Sequence, residues 1–178
     1  MNIKETLTYI KKHIGESPQI CLILGSGLHQ IKKKINQQYS LPYKDIPNFY
    51  DTSIEGHKGE FIFGYIDNKP ILCASGRFHY YEGYTFEQVG SLIEIFNELN
   101  PKLTIITNSS GCLNLDWELG SFMLIEKFLD FSFIHSKNVT KYKVKKMDYY
   151  SNILNMANEI NVNLYEGTYT FTTGPSYE

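Results

Sequence analysis

Cysteine is scarce, and the few present do not cluster. Cys21, Cys73 and Cys112 are odd in number and far apart, with no CxxC pair and no His/Cys spacing of a zinc ligand set. A metal site is therefore not expected. Cys21 and Cys73 sit in apolar runs and read as core thiols in a reducing compartment. Long hydrophobic runs are missing too: no stretch reaches the roughly 18 apolar residues of a membrane span. The opening MNIKETLTYIKKHIGE is too polar for a signal peptide, so a cytoplasmic protein is expected. Nor does charge of one sign dominate. Seventeen Lys and Arg against 19 Asp and Glu leave a formal net charge of −2, so nothing draws the whole chain to nucleic acid or to an anionic membrane. The basic clusters IKKKI and KYKVKK read as solvated helix faces. There is no internal repeat, low-complexity tract or linker, so one domain over residues 1–178 is expected.

Aromatic residues, by contrast, are abundant, with 14 Tyr and 11 Phe. Hydrophobic residues make up 42% and charged residues 20%, a globular balance. Ile3, Leu7, Ile10 and Ile14 recur at helical spacing, and Gly15 and Pro18 end that helix. QICLIL (19–24) reads as a buried strand, and the basic stretch after GSGL as helical. Residues 39–59 read as loop. EFIFGYI (60–66) and KPILCAS (69–75) read as paired strands joined through Asp67–Asn68. Residues 85–100 form the clearest helix. Thr85 with Gln88 makes a capping box, and Phe86, Val89, Ile93, Phe96 and Leu99 the apolar stripe. LTIIT (103–107) reads as another buried strand and SFMLIEKF (121–128) as a further strand. Lys141 to Ile160 reads as helix and LYEGTYTFTT (164–173) as the last strand. Alternating strands and helices argue an α/β fold with a central mixed β-sheet flanked by helices.

In open α/β sheets ligands bind beyond the carboxyl ends of strands. Four such ends carry small, polar or charged residues: Gly25-Ser26-Gly27, Gly76 to Tyr84, Asn108-Ser109-Ser110-Gly111, and Gly174 to Glu178. Together they are expected to face one pocket. Gly25-Ser26-Gly27 has the makings of an anion nest, but taken alone reads first as a strand-to-helix turn with a Ser cap. It is not GxGxxG, so no dinucleotide fingerprint is present. Arg77, His79 and Tyr81, two apart on an extended chain, share one side, and an Arg fork suits phosphate or carboxylate. A surface Arg beside a satisfied core His is the alternative. His57, in EGHKGEF, is a candidate that taken alone reads first as a plain surface residue. Tyr169 and Tyr177 read as ligand contacts or as core aromatics, and Glu178 as an acceptor for a ligand N–H or as a charged terminus.

The running order of motifs is LILGSGL, IPNFYDTSIEGHKGEFIFG, GRFHYYEGY, TNSSGCLN and EGTYTFTTGPSYE. It resembles the purine nucleoside phosphorylase family, in particular the trimeric class acting on 6-oxopurine nucleosides, kin of methylthioadenosine phosphorylase. The resemblance implies an α/β sandwich around a mixed sheet. It also implies phosphate-dependent cleavage of purine nucleosides to free base and ribose 1-phosphate. Ser26, His57, Arg77, His79, Asn108 and Ser109 would hold phosphate, Tyr81 and Tyr169 would line the ribose, and Tyr177 and Glu178 would take the purine. His79 and Glu178 are the catalytic candidates. No metal or organic cofactor is implied; inorganic phosphate is the co-substrate, and a homotrimer is expected. Glu178 favours 6-oxopurines, because a carboxylate accepts from N1–H and repels the bare N1 of adenine.

The same resemblance implies departures. The family's chain continues past GPS-[FY]-E with a phosphate-binding Ser, a Met against the ribose and an Asn at the purine N7, so a C-terminal truncation with little turnover is expected. Lys127-Phe128-Leu129-Asp130 stands where the family has DHIN, and Cys112 where it often has Gly. The alternatives are a catalytically dead remnant that binds phosphate or purine or assembles with a complementing chain, and a methylthioadenosine phosphorylase-like enzyme.

Overall fold

The computed structural model describes residues 2–51, 59–134, 136–143 and 149–174. Contacts divide the chain into two units, residues 1–109 and 110–178.

The first unit opens with helix α1 (Ile3–Ile14), which buries Thr6, Leu7, Ile10 and Ile14 and ends at Gly15 with φ +74°. Strands β1 (Ile20–Leu24), β2 (Asn36–Pro42), β3 (Glu60–Ile66), β4 (Lys69–Ser75) and β5 (Leu103–Ile106) form one sheet in the order β2-β3-β4-β1-β5. β1 runs parallel to both β4 and β5, and β3 is antiparallel to β2 and β4. The β3–β4 hairpin turns at Asp67 and Asn68, both at positive φ (47° and 60°), as a primed two-residue turn requires. Helix α2 (Phe86–Leu99) starts at the expected capping box, with Gln88 N–H donating to Thr85 Oγ1 at 3.3 Å. Its apolar face meets α1 and the sheet in a core containing Ile10, Phe61, Leu72, Leu92 and Phe96. Phe49, Phe61 and Phe78 pack against the ring of the fully buried Tyr43, with centroids 5.1, 4.9 and 5.8 Å away.

Several expectations change here. Residues 36–42, within or beside the expected helix and loop, are strand β2; only 29–34 is helical, as a 3₁₀ segment burying nothing. The buried face of α2 is Ser91, Leu92, Ile95, Phe96 and Leu99, so Phe96 and Leu99 hold, while Phe86, Val89 and Ile93 lie at its margin. The helix has apolar residues on both flanks, and the sheet selects the one that fits. β5 is a strand as expected but not a buried one: Ile105 and Ile106 are 39% and 60% exposed at the sheet edge.

The second unit has its own sheet, ordered β7-β6-β8, from β6 (Phe122–Asp130), β7 (Thr140–Lys143) and β8 (Leu164–Phe171). β6 and β8 are parallel, and β7 is antiparallel to β6. Helix α3 (Tyr149–Glu159) packs on β8, and Tyr150 donates its hydroxyl to Glu166 Oε1 at 2.6 Å. Residues 140–143 are therefore strand, where helix was expected from Lys141. Their Thr-Lys-Tyr-Lys alternation pairs residue by residue with 127–130.

Candidate active site

β4, β1 and β5 lie side by side and parallel, so their carboxyl ends open at one edge of the first sheet. From these ends run Gly25-Ser26-Gly27, Gly76-Arg77-Phe78-His79 and Thr107-Asn108-Ser109. Three of the four strand ends singled out by the sequence thus meet. The fourth follows β8, in the other unit, and its last described residue is Gly174.

The turn after β1 is clasped to the end of β5. Gly25 N–H donates to Thr107 Oγ1 at 2.9 Å, and that hydroxyl donates to the Ile23 carbonyl at 2.9 Å. Further along, the Ser109 hydroxyl donates to the Ser26 carbonyl at 2.7 Å. The two backbones approach so closely that a Cβ on Gly25 would lie 2.6 Å from Asn108 Cα and from the Thr107 carbonyl oxygen. Gly27 answers a different need, with φ +84° and open space around it. Gly25 N–H is taken by Thr107, and Leu28 N–H by the Gly25 carbonyl at 3.3 Å. The turn's N–H groups with no protein acceptor among the described residues are those of Ser26 and Gly27, two adjacent donors in an exposed loop. Adjacent backbone donors of this kind make a concavity for an anion.

Arg77 and His79 share one side, but not as strand residues, since β4 ends at Ser75. Phe78, 2% exposed, is sunk into the aromatic core and pins the extended segment between them. Arg77 Nε donates to His79 Nε2 at 3.2 Å, and Arg77 Nη1 donates to the Thr107 carbonyl at 3.0 Å. The guanidinium is thereby oriented at two points. In the neutral ring, acceptance at Nε2 places the imidazole proton on Nδ1. The His79 ring stacks on Tyr81 at 4.9 Å, in the 3₁₀ turn Tyr80–Glu82 that His79 caps. Upstream, Tyr43 donates its hydroxyl to the Gly76 carbonyl at 2.9 Å, anchoring the point where the chain leaves the sheet.

Other candidates lie elsewhere. Tyr169 sits on β8, edge-on to Phe128, and lines an open cavity of about 620 Å³ in the second unit with Ser110, Cys112, Trp117, Met123 and Thr170. His57, Tyr177 and Glu178 fall outside the described residues. Burial pushes the Cys21 and Cys73 thiols up to about 12, so neither is a nucleophile near neutrality. Among the described residues, no cluster of three or more His, Cys, Asp or Glu could hold a metal ion. Thr107 and Tyr43 were missed by sequence reasoning: one reads as the end of an apolar run, the other as a loop aromatic.

Residues 19–178 match the sequence profile of the phosphorylase superfamily. Purine nucleoside phosphorylase 1 of Geobacillus stearothermophilus is 35% identical, over 99% of this chain and 68% of its own length. The chain belongs to the purine nucleoside phosphorylase family. Solved structures agree. Schistosoma mansoni purine nucleoside phosphorylase in complex with inosine superposes with a TM-score of 0.86 at 28% identity, covering 99% of this chain and 68% of that one. A purine nucleoside phosphorylase in complex with ribose-1-phosphate gives 0.82 at 28% identity, covering 99% and 71%. The α/β architecture expected from the sequence, mixed sheets flanked by helices, is therefore that of the purine nucleoside phosphorylases.

Proposed function

We propose that this chain binds inorganic phosphate at the joined ends of β1, β4 and β5 and cleaves purine nucleosides by phosphorolysis. One observation carries the reading: the Ser26 and Gly27 N–H groups, the oriented Arg77 fork, His79 and the Asn108–Ser109 segment converge at one sheet edge. The family relatives that bear the same activity in their names support it.

In this reading Ser26, His57, Arg77, His79, Asn108 and Ser109 hold the phosphate, Tyr81 and Tyr169 bound the ribose, and Tyr177 and Glu178 take the base. A phosphate oxygen bonds to C1′ of the ribose as the C1′–N bond to the purine breaks. The bonding pair leaves with the base, which takes up a proton, and nothing is oxidised or reduced. The transition state is oxocarbenium-like, as in glycoside cleavage generally. A dianion fixed beneath C1′ serves as nucleophile and as counter-charge, and pre-oriented donors hold it without reorganisation. His79, tied to Arg77 and stacked on Tyr81, is suited to bridge phosphate and sugar. The reading invokes no metal or organic cofactor. It includes a preference for 6-oxopurines through Glu178, one family domain across residues 1–178, a cytoplasmic setting and a homotrimer.

The test is inosine incubated with the purified chain, with and without phosphate. Hypoxanthine release is expected only with phosphate, one ribose 1-phosphate accompanying each base. Release of free ribose without phosphate contradicts the reading. A second reading, a phosphate-binding chain that works only with a complementing partner, is favoured by Leu113, Leu115 and Leu119, which are 89%, 98% and 87% exposed. Phosphate binding without turnover selects it.

A further inference from the structure

We propose that Thr107 is a positioning residue for phosphate, locking the Gly25-Ser26-Gly27 turn and Arg77 into one cradle. The inference rests on reading this strand-end cleft as a phosphate site.

Thr107 bonds to both the turn and the arginine. Its hydroxyl accepts from Gly25 N–H and donates to the Ile23 carbonyl, each at 2.9 Å, so both roles of the hydroxyl are used within the protein. Its carbonyl accepts from Arg77 Nη1 at 3.0 Å, and its own N–H donates to the Ile23 carbonyl at 3.1 Å. Four bonds therefore fix Thr107 to β1, to the turn and to Arg77, and none of them needs the anion.

The consequence is a division of donors within the turn. Because Thr107 occupies Gly25 N–H, the turn is held by that first amide, while the N–H groups of the exposed Ser26 and Gly27 have no protein acceptor among the described residues. A free-standing Gly-Ser-Gly segment would sample many conformations, two of its three residues lacking a Cβ. Held at Gly25 through Thr107 and at Ser26 through Ser109, it presents adjacent donors in a fixed direction. The same residue sets one edge of the guanidinium. A dianion spanning turn and arginine thus meets donors whose separation is set by a single side chain and its carbonyl. Pre-orientation of this kind lowers the ordering cost of binding. Removing the hydroxyl leaves the amide of the buried Gly25 unpaired and frees the turn, without touching any group that contacts the anion.

The experiment compares the wild-type chain with Thr107→Val, which keeps the shape and loses the hydroxyl, and Thr107→Ser, which keeps the hydroxyl. Inorganic phosphate is titrated calorimetrically, and the phosphate-dependent rise in melting temperature is recorded alongside. Wild type and Thr107→Ser are expected to bind within about threefold of each other, and Thr107→Val about tenfold more weakly. A merely structural threonine would lower the melting temperature without phosphate and leave the affinity of the folded protein unchanged. Unaltered affinity in Thr107→Val overturns the inference while the phosphate site stands. Loss of binding in folded Thr107→Ser also overturns it, and that comparison decides the matter even where Thr107→Val does not fold. A wild-type chain that binds no phosphate sinks the phosphate reading and this inference with it.

Discussion

In residues 1–109 the apolar side chains close over one another. Ile10, Leu72, Ile95 and Phe96 are fully sheltered, and an aromatic cluster around Tyr43 fills the space between helix and sheet. In residues 110–178 only Tyr150 and Ala157 are buried among the described residues. Leu113, Leu115, Leu119, Phe122, Met156 and Ile160 are more than half exposed. Both units contain strands of similar apolar content, so composition does not separate them. The difference is coverage: the first sheet has helices packed on it, while the second has α3 on β8 and a long loop whose leucines lie in the open. The described residues of the proposed phosphate site all belong to the covered unit, where a rigid sheet can hold strand ends to within tenths of an ångström.

That contrast can be broken by mutation. Phe61→Ala is expected to remove about 3–5 kcal/mol of stability, because the ring is 1% exposed and packed against Tyr43 and Phe96. Leu115→Ser, at 98% exposure, is expected to stay within about 0.5 kcal/mol. Denaturant midpoints of the two variants measure both; comparable losses would show that the exposed loop is packed in solution.

Alkali sharpens the same comparison, because both buried thiols belong to the first unit and the exposed Cys112 to the second. In the unfolded chain the thiols ionise near pH 9, whereas burial holds Cys21 and Cys73 protonated to about 12. Above pH 9 the unfolded state therefore sheds these protons first, and stability falls with rising pH until about pH 12. Each thiol contributes about 1 kcal/mol of loss per pH unit across that window. Urea midpoints against pH should show the decline, shallower in Cys21→Ala; a flat profile contradicts the burial. Gly25→Ala has a smaller expected effect, about 1–3 kcal/mol, because its Cβ would press on the backbone of Asn108. It should also weaken phosphate binding, which an equally costly core variant far from the turn should not.

Much of this was legible from sequence where pattern and burial coincide. α1, β1, the β3–β4 hairpin and the Thr85 cap of α2 all carry signals that local physics enforces. β2 was not legible. Asn36–Pro42 is an edge strand with most side chains in solvent, so it shows no apolar alternation, and its pairing with β3 is a non-local fact. Residues 140–143 failed for the same reason. In the site, the meeting of three strand ends followed from the parallel pairing. The alternation of Arg77 and His79 was expected from a strand, but comes from Phe78 anchoring an extended segment beyond β4. Thr107 could not be singled out, because its bonds to Gly25 and Ile23 span more than eighty residues.

The most direct test of the phosphate cradle is titration of inorganic phosphate into the purified chain and into Arg77→Ala. Saturable binding by the wild type, lost in a folded Arg77→Ala, is the predicted result. Equal affinity in the two proteins would contradict the account by removing Arg77 from the site.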